Sequence, residues 1–223
     1  MSNKNLSILF TGQGSQYSEM GVELSGKFSW VKERYELSSS ILGYDVLKKQ
    51  ENQDLLNLTE YSQPAIFIYT SVLVDFVKDK IKSSCSNITL SGHSLGEYAA
   101  LYFANSLNFE DMLRVVKFRG EAMSIVSNPD KYMMYAVLKK EDEMIDYSIF
   151  GNGVYLANLN SNKQIVICGL RDKVEAFKEK YPLGKYVPLK VSAPFHSELM
   201  IESSNLFEDK IRDIVFKDVD LDV

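Results

Sequence analysis

The stretch Gly92-His93-Ser94-Leu95-Gly96-Glu97 determines the fold that we predict for this chain. It has the form G-x-S-x-G, in which a serine sits on a sharp turn between a strand and a helix. The run at 87–91 is short and rich in β-branched and apolar residues, which favours a strand, and the run at 97–104 favours a helix. The motif therefore stands in the strand–turn–helix context that it requires, although a chance Gly-Ser loop is the alternative explanation for so short a pattern.

The glycines and the serine of this turn have different predicted tasks. Gly92 and Gly96 leave room for the turn and for tight packing of the helix on the strand. The hydroxyl of Ser94 is expected at the N-terminus of the helix, where backbone N–H groups can stabilise an oxyanion. Ser94 is therefore the candidate nucleophile.

Length and composition are those of an ordinary globular protein. The chain has 223 residues, of which 45% are apolar, and this allows one large domain or a domain with an inserted subdomain. The net charge of −5 arises from 25 basic and 30 acidic residues, with no Lys/Arg cluster dense enough to follow a phosphate backbone. Nucleic acid is therefore not an expected partner.

Three further features of the sequence predict the cellular compartment and the capacity to bind metal: the cysteines, the histidines and the N-terminal segment. The two cysteines, Cys85 and Cys168, are sparse and unpatterned, which favours a reducing compartment. Because the chain has only two histidines, His93 and His196, we expect no zinc site. We find no signal-peptide pattern and no apolar run of about 18 residues, so we expect a cytoplasmic protein that does not contact a membrane.

The order of the predicted elements indicates an α/β protein with two parts. The first part resembles an α/β-hydrolase domain with a parallel sheet and a nucleophile elbow. Its predicted elements are strand 6–10, helices 28–42 and 61–81, the strand and helix of the nucleophile turn, helix 109–126 and, near the end of the chain, helix 197–213.

The second part has the order β-α-β-β-α-β, which is that of a small ferredoxin-like subdomain. We predict that this subdomain spans 128–191 and is inserted in a large domain formed by 1–127 and 192–223. Its predicted elements are strands 132–138, 153–158, 164–169 and 185–191 and helices 140–149 and 171–181.

A serine nucleophile needs a base within hydrogen-bond reach. His93 is next to Ser94, but on such a turn its side chain points away from the serine. His196 lies in Pro194-Phe195-His196-Ser197, at a junction from strand to helix, where α/β sheets place their chemistry. We therefore predict a Ser94–His196 dyad. An acidic third member between them, in the order found in α/β-hydrolases, and a merely structural His196 both stay open.

Six separate segments, in the right order, resemble the malonyl-CoA:acyl carrier protein transacylase family, which includes the acyltransferase domains of polyketide synthases. The resemblance covers nearly the whole chain, and six matches in order are far more specific than one. The segments are Gly12-Gln13-Gly14-Ser15-Gln16 (GQGSQ), Tyr61-Ser62-Gln63-Pro64-Ala65 (T-x-x-x-QPA), GHSLGE at 92–97, Arg119-Gly120-Glu121-Ala122-Met123 (R-G-x-x-M), Asn158-Leu159-Asn160-Ser161 with 164–169 (N-x-N…Q-x-V-I-x-G) and Phe195-His196-Ser197 with Leu199-Met200 (F-H-S-x-x-M).

The resemblance implies an acyl transfer through a covalent intermediate. Ser94 attacks the thioester of malonyl-CoA, His196 accepts its proton, and the backbone N–H groups of Gln13 and Leu95 form the oxyanion hole. The phosphopantetheine thiol of an acyl carrier protein then takes the acyl group in a ping-pong cycle. The resemblance further implies a monomer that needs no metal and no cofactor of its own, and that acts with a carrier protein or synthase in fatty-acid or polyketide biosynthesis.

Five residues are implied to bind or surround the acyl group. In the family, the arginine that matches Arg119 pairs with the free carboxylate of malonyl or a related extender unit, a task that suits a planar, bidentate guanidinium. A surface arginine is the alternative. Phe195 resembles the malonyl-type pattern and would crowd an α-substituent, although core packing explains it equally well. Gln63, Asn160 and His93 complete the set, and His93 has an equally good structural explanation.

The chain departs from the family pattern in two places. The segment Tyr132–Leu138 stands where the family has a small Gly-Ala-Met strand, and the family continues beyond Val223 with elements that close its core. A shortened form, a proteolytic fragment or one half of a split protein would explain the second departure. If instead the protein is complete at Val223, we expect apolar surface to stay exposed and both stability and activity to suffer.

Three other functions stay open. They are a hydrolase that clears acyl groups from carrier proteins, a general α/β-hydrolase esterase and an inactive scaffold that docks a carrier protein or synthase. Arg119 argues against the hydrolase, which needs no cation for a carboxylate. The GQGSQ loop and the lack of an HGGG-type motif argue against the esterase, and the early end of the family pattern keeps the scaffold open.

Overall fold

The computed structural model describes residues 4–139, 145–191, 193–219 and 221–223. Contacts divide the chain into two compact units, one formed by Met1–Glu121 with Asp209–Val223 and the other by Ala122–Glu208. The subdomain predicted over 128–191 lies inside the second unit, and its boundaries stay a prediction.

The first unit contains a pair of parallel strands, β1 (Asn5–Phe10) and β2 (Asn87–Gly92). The two strands are in register from their first residues to their last, and Asp222 forms a parallel bridge to Thr89 of β2. Leu90 of β2 is buried, both strands contact the helix that follows β2, and α-helices make up most of the rest of this unit. These helices are α1 (Val22–Lys27), α2 (Ser29–Leu42), α3 (Val46–Gln50), α4 (Gln53–Leu56), α5 (Thr59–Ser84), α6 (Gly96–Phe103) and α7 (Phe109–Ser124).

Local signals in the sequence explain several helix ends. Helix α2 ends at Leu42, as predicted, and the following Gly43 has a φ of 82°, in the left-handed region that glycine adopts without strain. Helix α7 begins after Asn108, whose side-chain oxygen accepts the N–H of Asp111 at 2.9 Å. Helix α5 begins at Thr59, earlier than predicted, because the carbonyl of Leu58 already accepts helical bonds. A proline favours the first turn of a helix, and Pro64 would lie there if the helix began at 61 as predicted; because α5 begins at Thr59, Pro64 lies inside the helix instead.

An apolar groove lies between β1 and α5. Its volume is about 660 Å³. Leu9 of β1 is 77% exposed there, and in the part of the chain that the structure describes β1 pairs with β2 alone. The first unit thus exposes apolar side chains along this groove. The groove is lined mainly by Ile8, Leu9, Leu24, Phe28, Leu73, Phe76, Val77 and Ile81.

The second unit is an antiparallel sheet with the strand order β4-β5-β3-β6. The two predicted halves interleave in this sheet, since one strand of each half lies between the two strands of the other half. The strand order is therefore the predicted ferredoxin-like one. The elements are β3 (Tyr132–Lys139), β4 (Val154–Ser161), β5 (Gln164–Leu170), α8 (Arg171–Lys180) and β6 (Gly184–Pro188). A short 3₁₀ helix, Glu198–Met200, then leads into α9 (Ile201–Ile211), where the sequence predicts one helix over 197–213.

Strand β3 is buried on both faces. Tyr135 and Val137 pack with α8 on one face, whereas Met134 and Ala136 pack with Phe195 on the other. A strand covered on both faces needs a continuous apolar run and not an alternating one. This explains why the segment that departs from the family pattern at 132–138 is apolar throughout.

The helix predicted over 140–149 is wrong for its described part. Residues 140–144 lie outside the described residues, and 145–149 contain only a 3₁₀ turn, Tyr147–Ile149. The side chain of Asp146 accepts the N–H of Ser148 and so closes this turn locally. The β-branched and aromatic residues that follow, together with Gly151, do not favour a longer helix.

No helix within the described ranges is both long enough and apolar enough to cross a membrane.

Candidate active site

Ser94 sits on the turn between β2 and α6. Its φ is 54°, in the left-handed region that residues other than glycine seldom adopt. The turn is held by two backbone hydrogen bonds, from Gly96 N–H to the His93 carbonyl (3.0 Å) and from Glu97 N–H to the Ser94 carbonyl (3.2 Å). A strained backbone held by its surroundings is frequent at functional sites. The predicted strand–turn–helix context of Ser94 is therefore confirmed.

The two glycines of the motif are required by close backbone contacts. A Cβ atom on Gly92 would lie 2.0 Å from the nitrogen of Glu97, and one on Gly96 would lie 2.2 Å from the carbonyl oxygen of Phe10. Any side chain at either position would force the backbones apart. The predicted reason for both glycines is thus confirmed.

The residues predicted to form the oxyanion hole flank this turn. Leu95 is buried and is the N-cap of α6, where backbone N–H groups lack helical partners. The N–H of His93 donates to the carbonyl of Phe10 at 3.0 Å and so ties the turn to the end of β1. The loop that contains Gln13 begins there. The helix dipole favours negative charge at this end of α6.

Arg119 brings a positive charge to the nucleophile. Its Nη2 donates to Ser94 Oγ at 3.0 Å, and its Nη1 donates to Oε1 of Gln63 at 2.6 Å. Its guanidinium carbon also lies 5.4 Å from the centroid of the Tyr98 ring, within the range of a cation–π contact. Arg119 therefore lies at the candidate nucleophile and is held there by Gln63, while its role in binding a carboxylate stays a prediction.

Burial and charge act in opposite directions on this pair of groups. Burial lowers the pKa of the Arg119 guanidinium, and the charge and hydrogen bonding of Tyr98 oppose that shift. Burial likewise raises the pKa of Tyr98, an effect that Arg119 partly offsets. Because an arginine stays protonated in proteins, the site holds a permanent cation beside a neutral phenol at physiological pH.

Gln63 is fully buried on α5 and is held by a residue that the sequence analysis did not single out. Its Nε2 donates to Oγ1 of Thr59 at 2.7 Å, and the Thr59 hydroxyl donates to Oε1 of Gln13 at 3.2 Å. The signal was present, since Thr59 and Gln63 are four positions apart on one helix face and occupy the threonine and glutamine positions of T-x-x-x-Q.

The structure thus brings five of the predicted site residues together in the first unit: Gln13, Gln63, Ser94, Leu95 and Arg119. His93, next to Ser94 in the chain, has an exposed side chain.

The other three predicted residues belong to the second unit. His196 is exposed and has a φ of 61°, while Phe195 before it is buried against the sheet. The thiol of Cys168 donates to the Phe195 carbonyl at 3.5 Å. Core packing therefore accounts for the Phe195 ring within its unit. Asn160 is exposed on β4, and its amide donates to Gln164 at 3.0 Å.

The second unit also has a partly polar cavity next to His196. Its volume is about 480 Å³, and its lining includes His196, Ser197, Asn152 and Tyr155. Over residues 4–139, 145–191, 193–219 and 221–223, no group of three or more His, Cys, Asp or Glu side chains is placed to hold a metal ion.

Comparison with known proteins gives one consistent family. Residues 8–217 match the family described as the acyl transferase domain. The chain is 37% identical to a malonyl CoA-acyl carrier protein transacylase of Synechocystis over 96% of its own length and 72% of the relative's. It is 33% identical to the polyketide biosynthesis malonyl CoA-acyl carrier protein transacylase PksC of Bacillus subtilis, over 95% of this chain and 74% of that protein.

A solved structure agrees with these relatives. The crystal structure of a malonyl CoA-acyl carrier protein transacylase from Clostridium perfringens superposes with a TM-score of 0.84 at 36% identity, over 97% of this chain and 70% of that one. Together with the serine turn and the arginine beside it, these matches show that the chain belongs to the acyl transferase domain family.

Proposed function

We propose that this protein transfers a malonyl group, or a related acyl group that ends in a carboxylate, from CoA to the phosphopantetheine thiol of an acyl carrier protein. The observation that carries the proposal is the Arg119 guanidinium, 3.0 Å from Ser94 Oγ. A fixed guanidinium beside the nucleophile favours an acyl group with a negative end, because it can pair with a carboxylate through two charge-assisted hydrogen bonds. The names of the relatives support the same substrate and the same acceptor.

In the proposed first half-reaction, Ser94 Oγ attacks the thioester carbonyl and His196 accepts the serine proton. The N–H groups of Gln13 and Leu95 stabilise the oxyanion of the tetrahedral intermediate. The C–S bond then breaks, the CoA sulfur takes the proton from His196, and the acyl group remains as an ester on Ser94.

The second half-reaction reverses these steps with another thiol. The phosphopantetheine thiol gives its proton to His196 and attacks the ester, and Ser94 recovers its proton as the acyl group leaves. The proposed cycle uses groups of this chain and of its two substrates, with malonyl-CoA as donor and no further cofactor.

Arg119 has a different partner in the acylated enzyme. While Gln63 holds Nη1, the rest of the guanidinium fork turns to the carboxylate of the acyl group once Ser94 Oγ has become an ester oxygen, which is a poorer acceptor than a carboxylate. Phe195, Asn160 and His93 stay proposed neighbours of the acyl group. For the whole protein we propose a monomer in the cytoplasm that serves fatty-acid or polyketide synthesis.

Intact-protein mass spectrometry after mixing with malonyl-CoA tests this proposal. We expect one malonyl adduct, which is absent in Ser94→Ala and forms slowly in His196→Ala. A folded wild-type protein that gains no adduct would favour the inactive scaffold. An adduct that decays to free malonate at the same rate with and without carrier protein would favour the hydrolase.

A further inference from the structure

We propose that Thr59 is a positioning residue that links the arginine beside the nucleophile to the loop of the oxyanion hole. Four side chains form a continuous series of hydrogen bonds, from Arg119 to Gln63 (2.6 Å), from Gln63 to Thr59 (2.7 Å) and from Thr59 to Gln13 (3.2 Å). We call this series the Thr59 relay. The inference rests on the proposed function, because it assigns Thr59 a part in that reaction.

The direction of every bond in the Thr59 relay follows from its first member. A guanidinium has donors only, so the group of Gln63 that faces Arg119 must be its carbonyl oxygen. The amide nitrogen of Gln63 then points to Thr59, whose oxygen accepts. The single proton of the Thr59 hydroxyl is left for the side-chain oxygen of Gln13. The cation of Arg119 therefore fixes the orientation of both glutamine amides.

A hydroxyl is required in the middle of the Thr59 relay because it must accept on one side and donate on the other. Thr59 is only 3% exposed and Gln63 is fully buried, so neither has bulk water as a ready substitute. The hydroxyl is not used to cap its own helix, because Leu58 is the N-cap of α5 and makes no side-chain cap bond. The start of a helix alone thus does not account for a hydroxyl at this position.

Close packing of two helices brings Arg119 within reach of the Thr59 relay. A Cβ atom on Gly120 would lie 3.1 Å from the carbonyl oxygen of Thr59 and 3.1 Å from the Cα of Glu60. The missing side chain of Gly120 therefore lets α7 approach the first turn of α5. Arg119, the preceding residue, is placed beside Gln63 as a result.

Loss of the Thr59 hydroxyl would affect both the arginine that is proposed to bind the acyl carboxylate and the loop that is proposed to stabilise the oxyanion. Removing the hydroxyl leaves the Gln63 amide without this acceptor, which loosens its hold on Arg119 and so weakens binding of the acyl carboxylate. It also releases the Gln13 side chain, and with it the loop whose N–H is proposed to stabilise the oxyanion. The first effect concerns malonyl alone, whereas the second concerns any acyl group.

The test compares Thr59→Val, which keeps the shape and removes the hydroxyl, with Thr59→Ser, which keeps the hydroxyl. The matched control is Ser62→Ala, because Ser62 is buried on the same turn but its hydroxyl donates to a backbone carbonyl. Rates of acylation of Ser94 by malonyl-CoA and by acetyl-CoA are measured for each protein, together with the melting temperature and the rate of labelling of Ser94 by a serine-directed fluorophosphonate.

For Thr59→Val we expect kcat/KM with malonyl-CoA to fall about ten- to a hundredfold. We expect a smaller fall in kcat/KM with acetyl-CoA, because this substrate is affected only by the looser oxyanion loop. With malonyl-CoA we also expect a higher KM, because the acyl carboxylate is bound less firmly. Thr59→Ser restores most of the rate, and Ser62→Ala stays near wild type. Equal rates in Thr59→Val and wild type, or equal losses in Thr59→Val and Thr59→Ser, would overturn the role of the hydroxyl.

The same experiment distinguishes failure of the proposed function from failure of the Thr59 relay. In that case the wild-type protein itself gains no acyl group from either thioester. The fluorophosphonate, which needs no carboxylate, then tests the Thr59 relay alone. Slower labelling of Thr59→Val with rescue in Thr59→Ser supports the relay, and unchanged labelling overturns it.

Discussion

Replacement of Arg119 by alanine tests how the site selects its acyl group. In the proposed complex, the guanidinium makes two charge-assisted hydrogen bonds to the malonyl carboxylate, and each such bond contributes about 1.5–3 kcal/mol. Because Arg119 keeps some exposure to solvent, we take the lower part of that range, which gives a loss of about 3–4 kcal/mol. We therefore expect kcat/KM for malonyl-CoA to fall by about two to three orders of magnitude in Arg119→Ala.

Acetyl-CoA is the internal reference for this prediction. It lacks the carboxylate, so with this substrate Arg119→Ala removes no bond to the acyl group. The variant loses the bonds from Arg119 to Ser94 Oγ and to Gln63, and with the second bond one anchor of the Thr59 relay. We expect a change of less than about tenfold for this substrate. Arg119→Lys keeps the charge but cannot form the fork, and its malonyl rate should fall between those of wild type and alanine.

The assay is the rate of acylation of Ser94 by each thioester, followed by rapid quench and intact mass, with melting temperatures as a check of folding. Arg114→Ala is the matched control. Arg114 lies on the same helix and pairs at the surface with Asp111 (2.8 Å) and Glu110 (3.3 Å), so its loss should leave both rates near wild type. Equal losses with malonyl and acetyl in Arg119→Ala would refute the carboxylate role.

Two further predictions concern the stability of the two units. Gly96→Ala places a Cβ 2.2 Å from the Phe10 carbonyl and should destabilise the fold by about 3 kcal/mol or more in urea unfolding. Gly26→Ala, in α1 with open space around it, should instead stabilise by about 0.5–1 kcal/mol, and a similar loss in both variants would contradict the account. Burial raises the pKa of the Cys168 thiol from 9.0 to about 11. The contribution of this thiol to the free energy of unfolding is therefore complete below pH 9 and is lost as the pH rises towards 11. Cys168→Ser should lack this part of the alkaline decline, about 2 kcal/mol, and an unchanged pH dependence would disprove it.

The serine turn could be predicted from sequence because its determinants are local. Backbone atoms fill the space that a side chain would need at Gly92 and at Gly96. These atoms belong to residues only a few positions away or to the end of the neighbouring strand. The four strands of the second unit and its helix α8 were likewise predictable from the alternation of short apolar runs and charged segments.

Other features depended on contacts that a sequence pattern does not show. The bond from Arg119 to Gln63 joins residues 56 positions apart, and that from Thr59 to Gln13 joins residues 46 apart. The donor and the acceptor in each of these hydrogen bonds can be assigned only once the guanidinium of Arg119 is known to face Gln63. In the described part of the helix predicted over 140–149, a short 3₁₀ turn at Tyr147–Ile149 stands instead, because local capping by Asp146 outweighs a weak helical pattern.

The role of Phe195 could not be predicted from the sequence for a third reason. An aromatic residue before the histidine fits both a crowded acyl pocket and a core position, and its type alone does not separate the two. In the structure its ring is 6% exposed and packs with Met134, Val166 and Cys168 inside the second unit.

The central claim is that Ser94 carries the acyl group between two thiols, and a pulse–chase measurement tests it most directly. The protein is acylated with malonyl-CoA, freed of CoA and then mixed with holo acyl carrier protein, with intact masses followed over time. We expect the malonyl adduct to leave the enzyme as an equal amount appears on the phosphopantetheine thiol, and we expect Ser94→Ala to show neither event. Malonyl-carrier protein formed by Ser94→Ala at the wild-type rate, or an adduct that never passes to the carrier protein, would contradict this claim.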